Sequence, residues 1–165
     1  MGTMKSITLL TAALVLATGL TARAETLTLK GIHNCCKGCE NGITKAITKV
    51  DGATVVVTKD TATITAKSKA DADKAVESLL AAGYFGEGAP VGAIEDKKVK
   101  TATVTGTHLC CGKCVTGIDN AVKTVAGATK HTAEKGAKSF TVEGDFNLKD
   151  LNAALNKAGY SGKLE

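Results

Sequence analysis

His33-Asn34-Cys35-Cys36-Lys37-Gly38-Cys39 returns 75 residues later as His108-Leu109-Cys110-Cys111-Gly112-Lys113-Cys114, and these two stretches hold all six cysteines of the chain. Each stretch lies where the apolar pattern changes period. Before it, Leu27 and Leu29, or Ala102 and Val104, alternate with polar residues, the period of a strand with one buried face. After it, Ile43, Ala46, Ile47 and Val50, or Ile118, Ala121, Val122 and Val125, recur at helical spacing. Gly52 and Gly127 stand just beyond these stripes, as helix C-terminal glycines do. The cysteines therefore fall on a strand-to-helix loop, twice.

The same offset pairs Gly42 with Gly117, and after one inserted residue Ile64 pairs with Phe140, Leu79 with Leu155, Gly83 with Gly159 and Tyr84 with Tyr160. An internal repeat of this kind predicts two copies of one small domain. Strands are expected at residues 54–58 and 61–66 around a Lys59-Asp60 turn, and at 129–133 and 138–143 around Lys135-Gly136. A second helix is marked by Ala72, Ala75, Val76 and Leu79, or by Leu148, Leu151 and Leu155, with Asp71 and Asn147 as expected N-caps. Each helix runs to Gly-Tyr before a short last strand. The expected class is α+β, with two tandem ferredoxin-like βαββαβ domains at 25–88 and 101–165. Between them, the linker 89–100 carries the sole proline, Pro90, and the polar run Glu95-Asp96-Lys97-Lys98.

Residues 1–24 read as a signal peptide. Lys5 gives a positive start, residues 7–20 an apolar stretch, and Ala22-Arg23-Ala24 a small-x-small cleavage site. Met1-Gly2-Thr3, ahead of a second start at Met4, reads as appended sequence, as does Leu164-Glu165. An uncleaved membrane anchor is the weaker reading, because the apolar run is short and broken by Thr and Gly. The expected location is periplasmic or secreted, with no membrane association after cleavage. The mature chain would carry 19 basic and 16 acidic side chains, a net charge of +3 spread evenly along it. That balance argues against a nucleic-acid partner. The βαββαβ order also serves RNA-binding domains, but the third strands offer only Phe140 for stacking. No phosphate loop, Ser-His-Asp set or paired catalytic carboxylates stands at a convincing spacing, so no enzyme activity is expected.

A Cys-x-x-Cys pair at a helix start sets its sulfurs beside unpaired backbone N–H groups and the positive end of the helix dipole. Thiolates are stabilised there, and thiolate is the form that binds soft metals and the form that attacks disulfides. The residues alone leave both chemistries open, together with structural disulfides in an oxidising compartment. Three cysteines per repeat would leave one unpaired within each domain, and a thioredoxin-like exchanger would need a longer α/β context and a cis-proline.

The strand order, the Cys-x-x-Cys at the first strand-helix loop and the Gly-Tyr before the last strand resemble the heavy-metal-associated domain. That family includes copper chaperones, the periplasmic mercury-binding protein and N-terminal modules of metal-transporting ATPases. The resemblance implies metal thiols at Cys36 and Cys39 and at Cys111 and Cys114. It also sets Tyr84 and Tyr160 near the metal loop, as in bacterial copper chaperones. The chain departs from the family's Gly-Met-x-Cys-x-x-Cys in three ways. His33 and His108 take the Gly position, Asn34 and Leu109 the Met position, and Cys35 and Cys110 are added ahead of each pair. Leu109 can anchor a loop as Met does, whereas Asn34 cannot.

The full candidate ligand set is Cys35, Cys36, Cys39, Cys110, Cys111, Cys114, His33 and His108. Cu(I) with two thiolates carries −1 and with three −2, whereas Zn(II), Cd(II) or Hg(II) with three carries −1. A histidine in addition would make Cys3His, a set familiar for zinc. The resemblance favours Cu(I), and the added cysteine keeps Zn(II), Cd(II) and Hg(II) open. Expected partners are the metal ion and a metal-transporting ATPase or other metal-exchange protein. The expected arrangement is one site per repeat, with the linker long enough for the two to act separately or to close on a shared ion.

Overall fold

A computed structural model of the chain describes residues 24–165. The expected signal segment, apart from Ala24, lies outside these residues. The first half runs β1 (Glu25–Lys30), α1 (Lys37–Ile47), β2 (Thr54–Thr58), β3 (Thr61–Ala66) and α2 (Lys69–Ala81). Its antiparallel sheet has the order β1-β3-β2, with Leu27 opposite Ile64 and Val55 opposite Ile64. The second half runs β4 (Lys98–Thr105), α3 (Gly112–Lys123), β5 (Ala128–His131), β6 (Ser139–Asn147), α4 (Leu148–Lys157) and β7 (Lys163–Leu164), with sheet order β5-β6-β4-β7.

The halves differ at their ends. In the second, Leu164 pairs with Val104 and completes a fourth strand, although Leu164-Glu165 reads as appended. In the first, the expected last strand is reduced to a bridge between Lys30 and Glu87. Gly88, which stands where the second half has Leu164, supplies no side chain to pack against β1. β6 runs past its expected end to Asn147, pairing Phe146 with Val99 and Asn147 with Lys98 across a bulge.

Local chemistry sets the helix starts. The expected cap Asp71 is instead the third residue of α2. Ser68 is the cap: its hydroxyl accepts the Asp71 N–H at 3.2 Å and donates to the Asp71 carboxylate at 2.8 Å. The Asp71 carboxylate thus orients the hydroxyl that caps its own N–H. Asn147 does cap α4, accepting from the Lys149 N–H at 2.9 Å. α1 and α3 begin differently. Their caps are Cys36 and Cys111, both extended, and neither thiol makes a capping hydrogen bond.

Buried residues of both halves form one continuous apolar cluster. Isoleucine, leucine, valine and alanine make up most of it, with Phe85 in the first half and Phe140 and Phe146 in the second. Where the halves meet, the Gly-Tyr turn of each lies on the cysteine loop of the other. Gly159 and Gly83, at φ +86° and +88°, approach the backbone of His33 and His108 so closely that a Cβ at either would overlap it. The Gly159 carbonyl accepts the Phe85 N–H at 3.0 Å, and the Gly83 carbonyl accepts the Ser161 N–H at 3.1 Å. Tyr84 and Tyr160 pair as an antiparallel bridge at the centre. The turns are thus crossed, and the cysteine loops face one another.

Candidate metal centre

Each cysteine loop is held by an apolar residue, at different positions. In the second loop Leu109 is buried, as its place ahead of the cysteines predicts. In the first, half-buried Asn34 does not substitute for it, and Ile32 is buried instead. The residue matching Ile32 is Thr107, whose hydroxyl donates to the Ser161 carbonyl at 2.9 Å and so satisfies its burial. The alternation of Ile32/Asn34 with Thr107/Leu109 was visible in the sequence and was the signal for this exchange.

All six cysteines are free thiols, and their sulfurs form one connected group across the two loops. Cys36 lies 3.8 Å from Cys39, and both lie 3.6 Å from Cys110. Cys111 lies 3.8 Å from Cys114, while Cys35 lies 3.5 Å from Cys111 and 3.9 Å from Cys114. Cys35 to Cys39 and Cys110 to Cys114, each 3.7 Å, connect the two sets. A ring nitrogen of His33 is within 4.8 Å of the Cys35, Cys39 and Cys114 sulfurs, and one of His108 is as close to those of Cys39, Cys110 and Cys114. All eight candidate ligands therefore converge on one place, not on one site per half. Local periodicity reports which face of an element is buried and is silent on what covers it, so the facing of the loops was not readable.

The tyrosines complete a crossed arrangement. His33 stacks on Tyr160 of the other half with ring centroids 4.4 Å apart, and His108 on Tyr84 at 4.5 Å. The Tyr160 hydroxyl lies 2.9 Å from His33 Nδ1 and 3.1 Å from the Cys114 carbonyl. The Tyr84 hydroxyl, His33 Nε2 and His108 Nε2 are buried with no hydrogen-bond partner among the described residues. Gly42 and Gly117 leave room on α1 and α3 for the phenol groups, which a Cβ would overlap. His131, which has no counterpart in the other half, instead faces Asp119 at 3.5 Å, away from the thiols.

The electrostatics divide the thiols into classes. The first-turn N–H groups of Cys39 and Gly38 face Cys36 and lower its pKa, although neither meets the geometry of a capping bond. The N–H of Cys114, with that of Lys113, brings Cys111 down to about 6. Burial raises the pKa values of Cys35, Cys110 and Cys114, and it raises those of Tyr84 and Tyr160. Burial lowers His33 and His108, with the nearby His108 charge adding to the effect on His33. Both imidazoles are thus neutral at pH 7, the form that ligates metal. Lys37 is engaged with Glu40 at 2.7 Å, so its charge is partly neutralised before it reaches the sulfurs.

One outcome follows for the reduced, metal-free protein. At pH 7 a thiol with its pKa near 6 is about nine-tenths ionised, so Cys111 should alkylate first with iodoacetamide, its rate falling through a midpoint near pH 6. Cys35 and Cys110 should alkylate last. Peptide mapping of a timed reaction reads the order, and uniform rates at all six thiols would contradict it.

No family model matches the chain. Over 131 residues, 76% of this chain, it is 30% identical to Copper-transporting ATPase 2 of Rhizobium meliloti (strain 1021), and the matched stretch is 14% of that protein's length. The chain therefore spans about a seventh of this curated relative. The solution structure of the N-terminal soluble domains of Bacillus subtilis CopA covers 87% of this chain and 95% of its own, at 18% identity and a TM-score of 0.33. The sequence similarity and the cysteine cluster together support metal binding.

Proposed function

We propose that this protein binds soft, thiophilic metal ions at the joined cysteine loops, Cu(I) ahead of Zn(II), Cd(II) or Hg(II), for sequestration or transfer. The observation that carries this reading is the single group of six free thiols, with neighbours 3.5–3.9 Å apart and two neutral imidazoles beside them. Soft sulfur donors with imidazole select Cu(I), Zn and other thiophilic ions over hard cations. Similarity to part of a copper-transporting ATPase favours copper among them. The heavy-metal-associated, ferredoxin-like reading of two tandem domains belongs to the same proposal, as does export after loss of residues 1–24.

Transfer would be ligand exchange: an incoming thiolate on a metal-transporting ATPase or other exchange protein replaces one sulfur at a time, with no catalysed reaction. The low pKa of Cys111 also suits thiol-disulfide exchange, and that is the rival reading.

Metal content of anaerobically reduced protein, measured by mass spectrometry, tests the proposal. The wild type should retain Cu(I) through desalting against a competing chelator, and the Cys36→Ser/Cys111→Ser double variant should retain far less. Equal retention, or none of any thiophilic ion by the wild type, would sink the metal reading. Cysteine-dependent reduction of insulin by a protein that retains no metal would establish the redox one.

A further inference from the structure

Resting on that metal-binding reading, we propose that the six thiols form two three-sulfur sites with exchanged ligands. Cys36 and Cys39 are completed by Cys110 of the other half, and Cys111 and Cys114 by Cys35, so that two soft ions sit side by side. The added cysteine in each loop serves the opposite Cys-x-x-Cys pair.

The sulfur positions divide in this way. Cys36, Cys39 and Cys110 make a closed triangle with sides of 3.8, 3.6 and 3.6 Å. Cys35, Cys111 and Cys114 make a second, with sides of 3.5, 3.9 and 3.8 Å. Thiolates held at about 2.3 Å from one ion stand roughly 3.8 Å apart in a tetrahedral set and roughly 4.0 Å apart in a trigonal one. Both triangles are thus close to the size that one ion requires. A linear two-sulfur site would need roughly 4.6 Å on the same bond length, which neither Cys-x-x-Cys pair spans.

Cys36 is extended at φ −163°, ψ 169°, and Cys111 at φ −151°, ψ 171°, ahead of their helices. Adjacent Cys35 and Cys36 keep their sulfurs within 4.8 Å of each other and of that of Cys111. The Cys-x-x-Cys pair converges on its own side through the first helical turn. Cys35 and Cys110 lie between the pairs, each 3.7 Å from the second cysteine of its own pair and 3.5–3.9 Å from both cysteines of the opposite pair. Cys110 reaches the start of α1, where its sulfur would be 3.5 Å from a Cβ on Gly38.

One ring nitrogen each of His33 and His108 lies within 4.8 Å of the Cys39 and Cys114 sulfurs, which belong to different triangles, and Nε2 of both rings is buried with no hydrogen-bond partner among the described residues. An imidazole there can supply a fourth donor to an ion that prefers four. Tyr160 holds His33 through Nδ1.

Reduced full-length protein loaded with Cd-113 tests the assignment, with native mass spectrometry for the count and cadmium-proton correlation spectra for the ligands. The expected result is two ions per chain and two cadmium resonances. One should correlate with the β-protons of Cys36, Cys39 and Cys110, the other with those of Cys35, Cys111 and Cys114. Cys110→Ser should abolish or shift the first resonance and spare the second, and Cys35→Ser the reverse. If a variant fails to fold, the wild-type correlations suffice. A resonance joining Cys35, Cys36 and Cys39, or a single ion bound across both loops, would overturn the exchange and leave metal binding standing. No bound cadmium, copper, zinc or mercury would overturn both.

Discussion

Gly159→Ala should lower the stability of the chain by about 3 kcal/mol or more, through two costs that act together. Gly159 sits at φ +86°, where an L side chain is strained, and its Cβ would overlap the backbone N–H of His33 and crowd the Gly31 carbonyl. Backbone cannot move aside by changing rotamer, so the first cysteine loop must retreat from the Gly-Tyr turn. Gly83→Ala does the same to His108 and Gly106. Gly136→Ala is the control, because Gly136 has φ +84° and nothing within 4 Å of the added carbon. It should cost only the conformational part, about 1 kcal/mol. Urea unfolding of the three variants reads the difference. Equal losses at Gly136 and Gly159 would mean that the crossed turns do not hold the halves together. If they do, Gly159→Ala should also weaken metal retention without touching a thiol.

Much of the local structure was legible because it follows from short-range patterning. β2 and β3 occupy 54–58 and 61–66 as alternation predicts, and the apolar stripes of α1 and α3 face inward. Errors arose where a competing local bond won. Ser68 captured the α2 cap from Asp71 because its hydroxyl accepts the third N–H, and Gly88, where the second half has Leu164, left the first sheet short of a strand. The site was legible by residue type and illegible by grouping. Every candidate ligand joins the cluster, yet spacing along the chain says nothing about two loops 75 residues apart meeting. The recurrence of Gly-Tyr was the usable signal. A glycine that returns with its tyrosine marks a close backbone approach as readily as a turn, and here it marks the neighbouring half.

Loading with Cu(I) should raise the unfolding temperature by on the order of 10 °C, and a thiol-competent chelator should reverse it. An ion that binds only the folded chain, at a free concentration about a thousandfold above its Kd, adds roughly 4 kcal/mol. For a chain of this size each kcal/mol is worth about 2–4 °C. The gain is large because the ligands belong to both halves, so the ions bind the packed arrangement of the loops and neither loop alone. Calorimetry of the Cys36→Ser/Cys111→Ser variant should show most of the shift gone, and an undiminished shift would refute the cluster as its origin. The effect should also depend on pH. Cys111, brought down to about 6 from an ordinary 9.0, favours the folded metal-free chain fully only above about 9, and that contribution is lost as pH falls through 6. Cys35 and Cys110, raised by burial, act oppositely: their contribution is complete below about 9 and is lost as pH rises through their folded values. Metal must displace protons from these buried thiols, so the stabilisation on loading should shrink as pH is lowered, most steeply below about 6 where Cys111 also takes up its proton.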